Sequence, residues 1–110
     1  MSRARARPKS PAPVFAALGD ATRLELVARL SDGERHSIAE LTDGLALTRQ
    51  AVTKHLQVLK DAGLVNRKRL GRESRFAIQP NAIAGARDYL ARVSAQWDEA
   101  IARLRALVEE

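Results

Sequence analysis

The chain has 110 residues, a length that suits one compact domain, and it is 45% hydrophobic but only 4% aromatic, so any core must be built from Leu, Val, Ile and Ala. It lacks cysteine, which excludes disulfides, thiolate metal sites and cysteine catalysis, and no apolar run approaches the roughly 20 residues that span a bilayer. The net charge of +6 is confined to two places. Residues 1–13 hold four bases and no acid, and residues 64–80 hold five bases against one acid, whereas the rest is nearly balanced. Local basic patches on a balanced chain point to a polyanion partner.

Residues 1–13 (MSRARARPKSPAP) read as a basic, disordered tail with nothing to bury. The segment has no apolar stretch of secretory type, and its prolines oppose an amphipathic helix. Val14 to Leu18 is a short apolar segment ending at Gly19. Asp20 then caps a predicted helix over residues 21–30, with Leu24, Val27 and Leu30, flanked by Ala21 and Ala28, as its buried stripe. Ser31, Asp32 and Gly33 form a stop, and His36 is placed facing solvent. Ser37 followed three residues on by Glu40 is a capping box that opens a short helix ending near Gly44. Thr48 caps a stronger helix over residues 49–62, closed by Gly63. Two helices separated by a turn at residues 44–47 have helix-turn-helix spacing.

The pattern then changes to strands over residues 64–70 and 73–78, joined at Gly71 and ended by Pro80. Residues 81–110 return to helical periodicity. Ile83, Ala86, Leu90, Val93, Trp97, Ala100, Leu104 and Leu107 recur every three or four residues, as in a coiled-coil seam broadened by Ile101 and Val108. The predicted organisation is a tail (1–13), a DNA-binding domain (14–80) and a C-terminal dimerisation helix (81–110).

Residues 49–62 carry the functional signal. At 100° per residue, Val52, Leu56 and Leu59 fall on one side, with Ala51 and His55 on its flank, and Gln50, Thr53, Lys54 and Gln57 fall on the other. Gln pairs bidentately with adenine, Lys reaches guanine O6 and N7, and Thr bonds either way or touches a thymine methyl. This face carries no acid before Asp61. Thr48 and Arg49 sit at the helix N-terminus, where free N–H groups attract phosphate. Arg67, Arg69, Arg72 and Arg75 surround the hairpin turn, where arginines clamp phosphates or enter a minor groove. His55 reads as a packed or phosphate-facing residue. Two histidines without cysteine make no zinc site, and neither a phosphate loop nor a Ser-His-Asp arrangement is present. The residues therefore imply a double-stranded DNA-binding protein rather than an enzyme, with no metal and no cofactor. A dimeric protein-interaction adaptor and a non-specific architectural DNA binder are the alternatives.

Three segments resemble the ArsR-type (ArsR/SmtB) winged helix-turn-helix repressors: FAALGDATRLELVARL, SIAELTDGLALTRQAVTKHLQVLKDAGLV and RKRLGRESRFAI. The resemblance covers residues 14–108. It implies a mainly α fold with a β-hairpin wing, dimeric through its first and last helices. Val14, Phe15, Leu18, Ile83, Ala86, Leu90, Val93, Trp97 and Leu104 would form that interface. It also implies a cytoplasmic, nucleoid-associated bacterial protein that binds a palindromic operator as a homodimer and represses by blocking RNA polymerase. Metal-sensing members often carry a Cys-x-Cys before the recognition helix. Ser37 and Ala39 stand at those positions here, and residues 81–110 hold no His, so the resemblance does not extend to metal sensing. The effector is left open, as a small molecule, a protein or none.

Overall fold

The computed structural model describes residues 10–109. Helix α1 (Ala12–Leu18) starts inside the segment assigned to the tail. Pro11 is its N-cap and Pro13 lies in its first turn, where a missing N–H breaks no helical bond, so these prolines open the helix they were expected to oppose. Residues 1–9 of the expected tail lie outside the described residues.

Helix α2 (Ala21–Arg29) is capped by Asp20, whose carboxylate accepts from the Arg23 N–H at 3.0 Å. Its buried face is the expected one only in part. Leu26 and Leu30 are fully buried and Val27 half-buried, while Leu24 is 53% exposed and Ala21 and Ala28 face solvent. Position 23 completes the i, i+3, i+4, i+7 stripe with 26, 27 and 30, and its occupant is an arginine. Val27 and Leu30 are shared with the apolar pattern, but Arg23 and Leu26 take the inward places that the pattern gives to Leu24, Ala21 and Ala28. A single 3₁₀ turn (Leu30–Asp32) ends at Gly33, in left-handed conformation at φ 79°.

The two-residue strand β1 (His36–Ser37) runs into α3 (Ile38–Thr42). Both halves of the capping box form: Ser37 Oγ accepts from the Glu40 N–H at 3.1 Å, and Glu40 Oε1 accepts from the Ser37 N–H at 2.9 Å. Helix α4 (Arg49–Asp61) follows the turn at Gly44, and Gly63 (φ 80°) stops it. The hairpin of β2 (Val65–Leu70) and β3 (Glu73–Ile78) turns at Gly71, φ 63°. β1 pairs antiparallel with β3, His36 opposite Phe76 and Ser37 opposite Arg75, giving the order β1-β3-β2. This pairing was not foreseen, because two residues show no alternation. It also corrects His36, which is half-buried and bonds Asp32 through Nε2 at 2.8 Å.

Leu26, Leu30, Leu41, Val52, Leu56, Leu59, Leu64 and Phe76 form one core beneath these elements. Arg29 braces it from α2, donating from Nη1 to the Leu41 carbonyl at 3.2 Å and to the Asp43 carbonyl, so the end of α3 is tied to its scaffold. Helix α5 (Pro80–Glu109) has 30 residues and is about 45 Å long. It packs on α1 through its first half, where Ala86 is buried and the Tyr89 and Phe15 rings lie 5.7 Å apart. Its second half leaves Trp97, Leu104 and Leu107 at 65%, 61% and 70% exposure. The architecture is mainly helical, a helix-turn-helix with a three-stranded winged sheet.

Candidate nucleic-acid interface

The row on α4 forms as the helical projection requires. Val52, Leu56 and Leu59 are buried, and Thr48, Arg49, Gln50, Thr53, Lys54 and Gln57 are exposed. Thr48 Oγ1 accepts from the Ala51 N–H at 3.1 Å, so its hydroxyl oxygen is engaged as a cap. Thr53 donates its hydroxyl to the Arg49 carbonyl at 2.7 Å, which leaves its methyl and a lone pair outward. Gln57 donates one Nε2 N–H to Asp61 Oδ1 at 2.8 Å, which leaves Oε1 as an acceptor and the second N–H as a donor. Gln50 and Lys54 stand without side-chain partners among the described residues.

Arg49, Gln50, Thr53 and Lys54 form one wall of a groove of about 630 Å³, and Arg72, Glu73 and Ser74 of the wing form the other. The start of α3, from Ser37 to Ala39, is its floor. Helix α4 and the wing thus face one shared concavity. Among the described residues, Arg49, Lys54, Arg67, Lys68 and Arg72 have no carboxylate within 4.0 Å, so their charge is free to meet an external anion.

The wing arginines do not form one set. Register puts Arg67 opposite Phe76 and Arg69 opposite Ser74 on one face, and Lys68 opposite Arg75 on the other. Arg75 is half-buried and committed: its Nη2 lies 2.9 Å from Glu73 Oε1 and its Nη1 4.0 Å from Glu40 Oε1. It braces the wing against α3. Lys68, by contrast, is exposed and was passed over in the sequence. Its signal was there, as a base in the basic strand, but the arginines beside it drew the attention.

His55 is turned away from the exposed row. It lies half-buried, with Nδ1 3.2 Å from Arg23 Nη1 and 3.9 Å from Asp20 Oδ1. The carboxyl of Asp20 is held below the usual range above all by the Arg23 backbone N–H, against an opposing cost of desolvation that is second in size, with the charge of Arg23 adding to the lowering. Asp32 is lowered mainly by the Glu34 N–H and His36, and Glu40 mainly by the Ser37 N–H, with Arg75 and His36 adding to it. All three acids serve turns and caps rather than a reaction. The described residues contain no group of three or more His, Cys, Asp or Glu able to hold a metal, and no helix among them long and apolar enough to cross a membrane.

A helix-turn-helix whose second helix shares a cationic groove with a β-wing defines a DNA-binding regulator rather than an enzyme. Residues 18–68 match the model of a helix-turn-helix domain. An HTH-type transcriptional regulator of Mycobacterium tuberculosis, Rv2034, is 34% identical over 101 residues, which is 92% of this chain and 91% of that protein. The HTH-type transcriptional regulator YuzN of Bacillus subtilis is 46% identical over 65 residues, 54% of this chain and 71% of that one. An ArsR-like transcriptional regulator from Rhodococcus sp. RHA1 superposes with a TM-score of 0.74 at 35% identity, covering 88% of this chain and 91% of its own. The chain belongs to the ArsR-type family of winged helix-turn-helix transcriptional regulators.

Proposed function

We propose that this regulator binds a palindromic operator in double-stranded DNA as a homodimer and represses the gene behind it. The observation that carries this reading is the exposed row of Gln50, Thr53, Lys54 and Gln57, whose first three members line one groove with the cations Arg49 and Arg72. The row supplies base-edge contacts, and Arg49, Arg67, Lys68, Arg69 and Arg72 supply phosphate contacts. His55 and Arg75, engaged within the protein, support the row and the wing. The exposed apolar stripe of α5 supports a dimer, with Trp97 and Leu104 on its seam. Two-fold symmetry would place the reading helices about 34–36 Å apart, one turn of DNA. A dimer seated on such a site excludes polymerase from it.

Titration against DNA from upstream of its own gene, with a scrambled control and a salt series, tests this. Much tighter binding to the native fragment, with a steep salt slope on both, is the expected result. Equal binding to both fragments would indicate an architectural binder. Absence of binding at low salt would overturn the reading and leave an interaction adaptor.

A further inference from the structure

Arg23 is not part of the exposed row, yet it is the side chain that joins three helices. Its Nε donates to the Ala17 carbonyl in the last turn of α1 at 2.5 Å, and its Nη1 meets His55 Nδ1 on α4 at 3.2 Å. Its backbone N–H is held by the Asp20 cap. Ala17 is buried, and Arg23 and His55 are half-buried, so these bonds are partly screened from water. A guanidinium can only donate, so Nδ1 of His55 must be the acceptor and must carry no proton.

Resting on the DNA-binding reading above, we infer that Arg23 is a positioning residue for the recognition helix. It acts through the unprotonated Nδ1 of His55, so this latch opens when His55 becomes charged. Protonation would set an N–H against an N–H and a cation against a cation. Asp20 Oδ1, 3.9 Å from the same nitrogen, is the group that would draw the imidazolium away. Other charged groups do not compensate. α1 carries no titratable side chain. On α3, Glu40 is directed to Ser37, His36 and Arg75, and the bases of β2 are exposed. On α4 itself, Lys54 lies on the outward row. Because Arg23 also grips Ala17, the latch sets the tilt of α4 against α1 and α2, and with it the depth at which the row meets DNA.

The test uses the full chain and a DNA site that it selects from a random pool, with a scrambled duplex as control. The readout is the ratio of selected to scrambled affinity, in which the bulk effect of added positive charge cancels. From about pH 7.5 to about pH 5.5, the wild-type ratio should fall by on the order of ten-fold. H55Q keeps an acceptor oxygen without a titration, so its ratio should stay high and flat. R23A and H55A should have a low ratio at both pH values. R23K, with one point donor, should restore it only in part. Matching pH profiles for wild type and H55Q would overturn the inference, since any change from elsewhere in the chain is common to both. So would a wild-type ratio in folded R23A. If R23A does not fold, H55A and H55Q decide the matter. Hydrogen exchange of the free protein separates this failure from that of the DNA reading. H55A should accelerate exchange in α4 over that in β2 and β3, whether or not DNA binds, and unchanged α4 protection would remove the latch.

Discussion

Gln50 and Arg72 face each other across the same groove, but they supply different things to a bound duplex. A glutamine amide presents one donor and one acceptor, a pair matched to the N6 and N7 edge of adenine. Gln50→Ala should therefore relax preference at one base position, costing about 1–3 kcal/mol on the favoured base and little on the others. Equal loss on every sequence would remove Gln50 as a base reader. Arg72, at the wing turn and free of carboxylate partners, has no such preference. Arg72→Ala should weaken native and scrambled DNA alike and flatten the salt slope by about 0.9, one phosphate contact. Salt titrations of both variants measure this directly. Much of the groove was legible at this scale, because Gln50, Thr53 and Lys54 follow from helical periodicity alone. What was not legible is which cations are already engaged. Arg75 and His55 look like their neighbours in the sequence, and only the folded contacts with Glu73, Glu40, Arg23 and Asp20 show them held inward.

The elements that carry these residues rest on local bonds that the sequence announces. Ser37, Thr48 and Asp20 were each readable as caps, since a side-chain oxygen just before an apolar run satisfies N–H groups that the helix cannot. α3 has only five residues and depends on its capping box. Ser37→Ala should lower stability by about 1 kcal/mol, read as a reduced thermal midpoint with an unchanged denaturant slope. Asp20, Asp32 and Glu40 all have carboxyls held below their ordinary values in the folded chain. The unfolded chain therefore binds their protons first as pH falls. Their stabilisation is fully present above the usual carboxylate range and is lost as pH drops through the folded values. The contribution of these three acids to the thermal midpoint should be flat from neutrality to about pH 5 and should fall away below about pH 4. The triple amide variant should be less stable at neutral pH and show a shallower acid decline, and an identical decline would mean that other groups govern it. β1 and the true face of α2 were not legible. A two-residue strand exists only because β3 is there to pair with it, and Arg23 occupies an inward position that an apolar pattern leaves blank.

At the scale of the whole molecule, α5 is out of proportion to the body it packs on. Of its apolar residues, Ala86 alone is buried, and Leu90, Trp97, Leu104 and Leu107 remain more than half exposed. A lone helix that leaves so many large side chains in water has gained little from folding, so this stripe is the part of the chain that most needs a second surface. The sequence showed the seam through its three-and-four spacing, but not that α1 covers only its first half. In the proposed dimer, the same helix fixes the distance between the two reading grooves, which links assembly to recognition. Leu104→Glu places a charge on the seam without touching the core beneath α4. It should shift the chain to a monomer in sedimentation equilibrium while keeping its helical spectrum. A single groove then contacts one half-site, and binding to a two-half-site operator should weaken by on the order of 100-fold or more, because the linked second contact is lost. Binding to an isolated half-site should change little. A variant that remained dimeric would take Leu104 off the interface. A monomeric variant that kept full operator affinity would show that assembly and DNA reading are independent, and that the spacing imposed by α5 has no part in choosing the site.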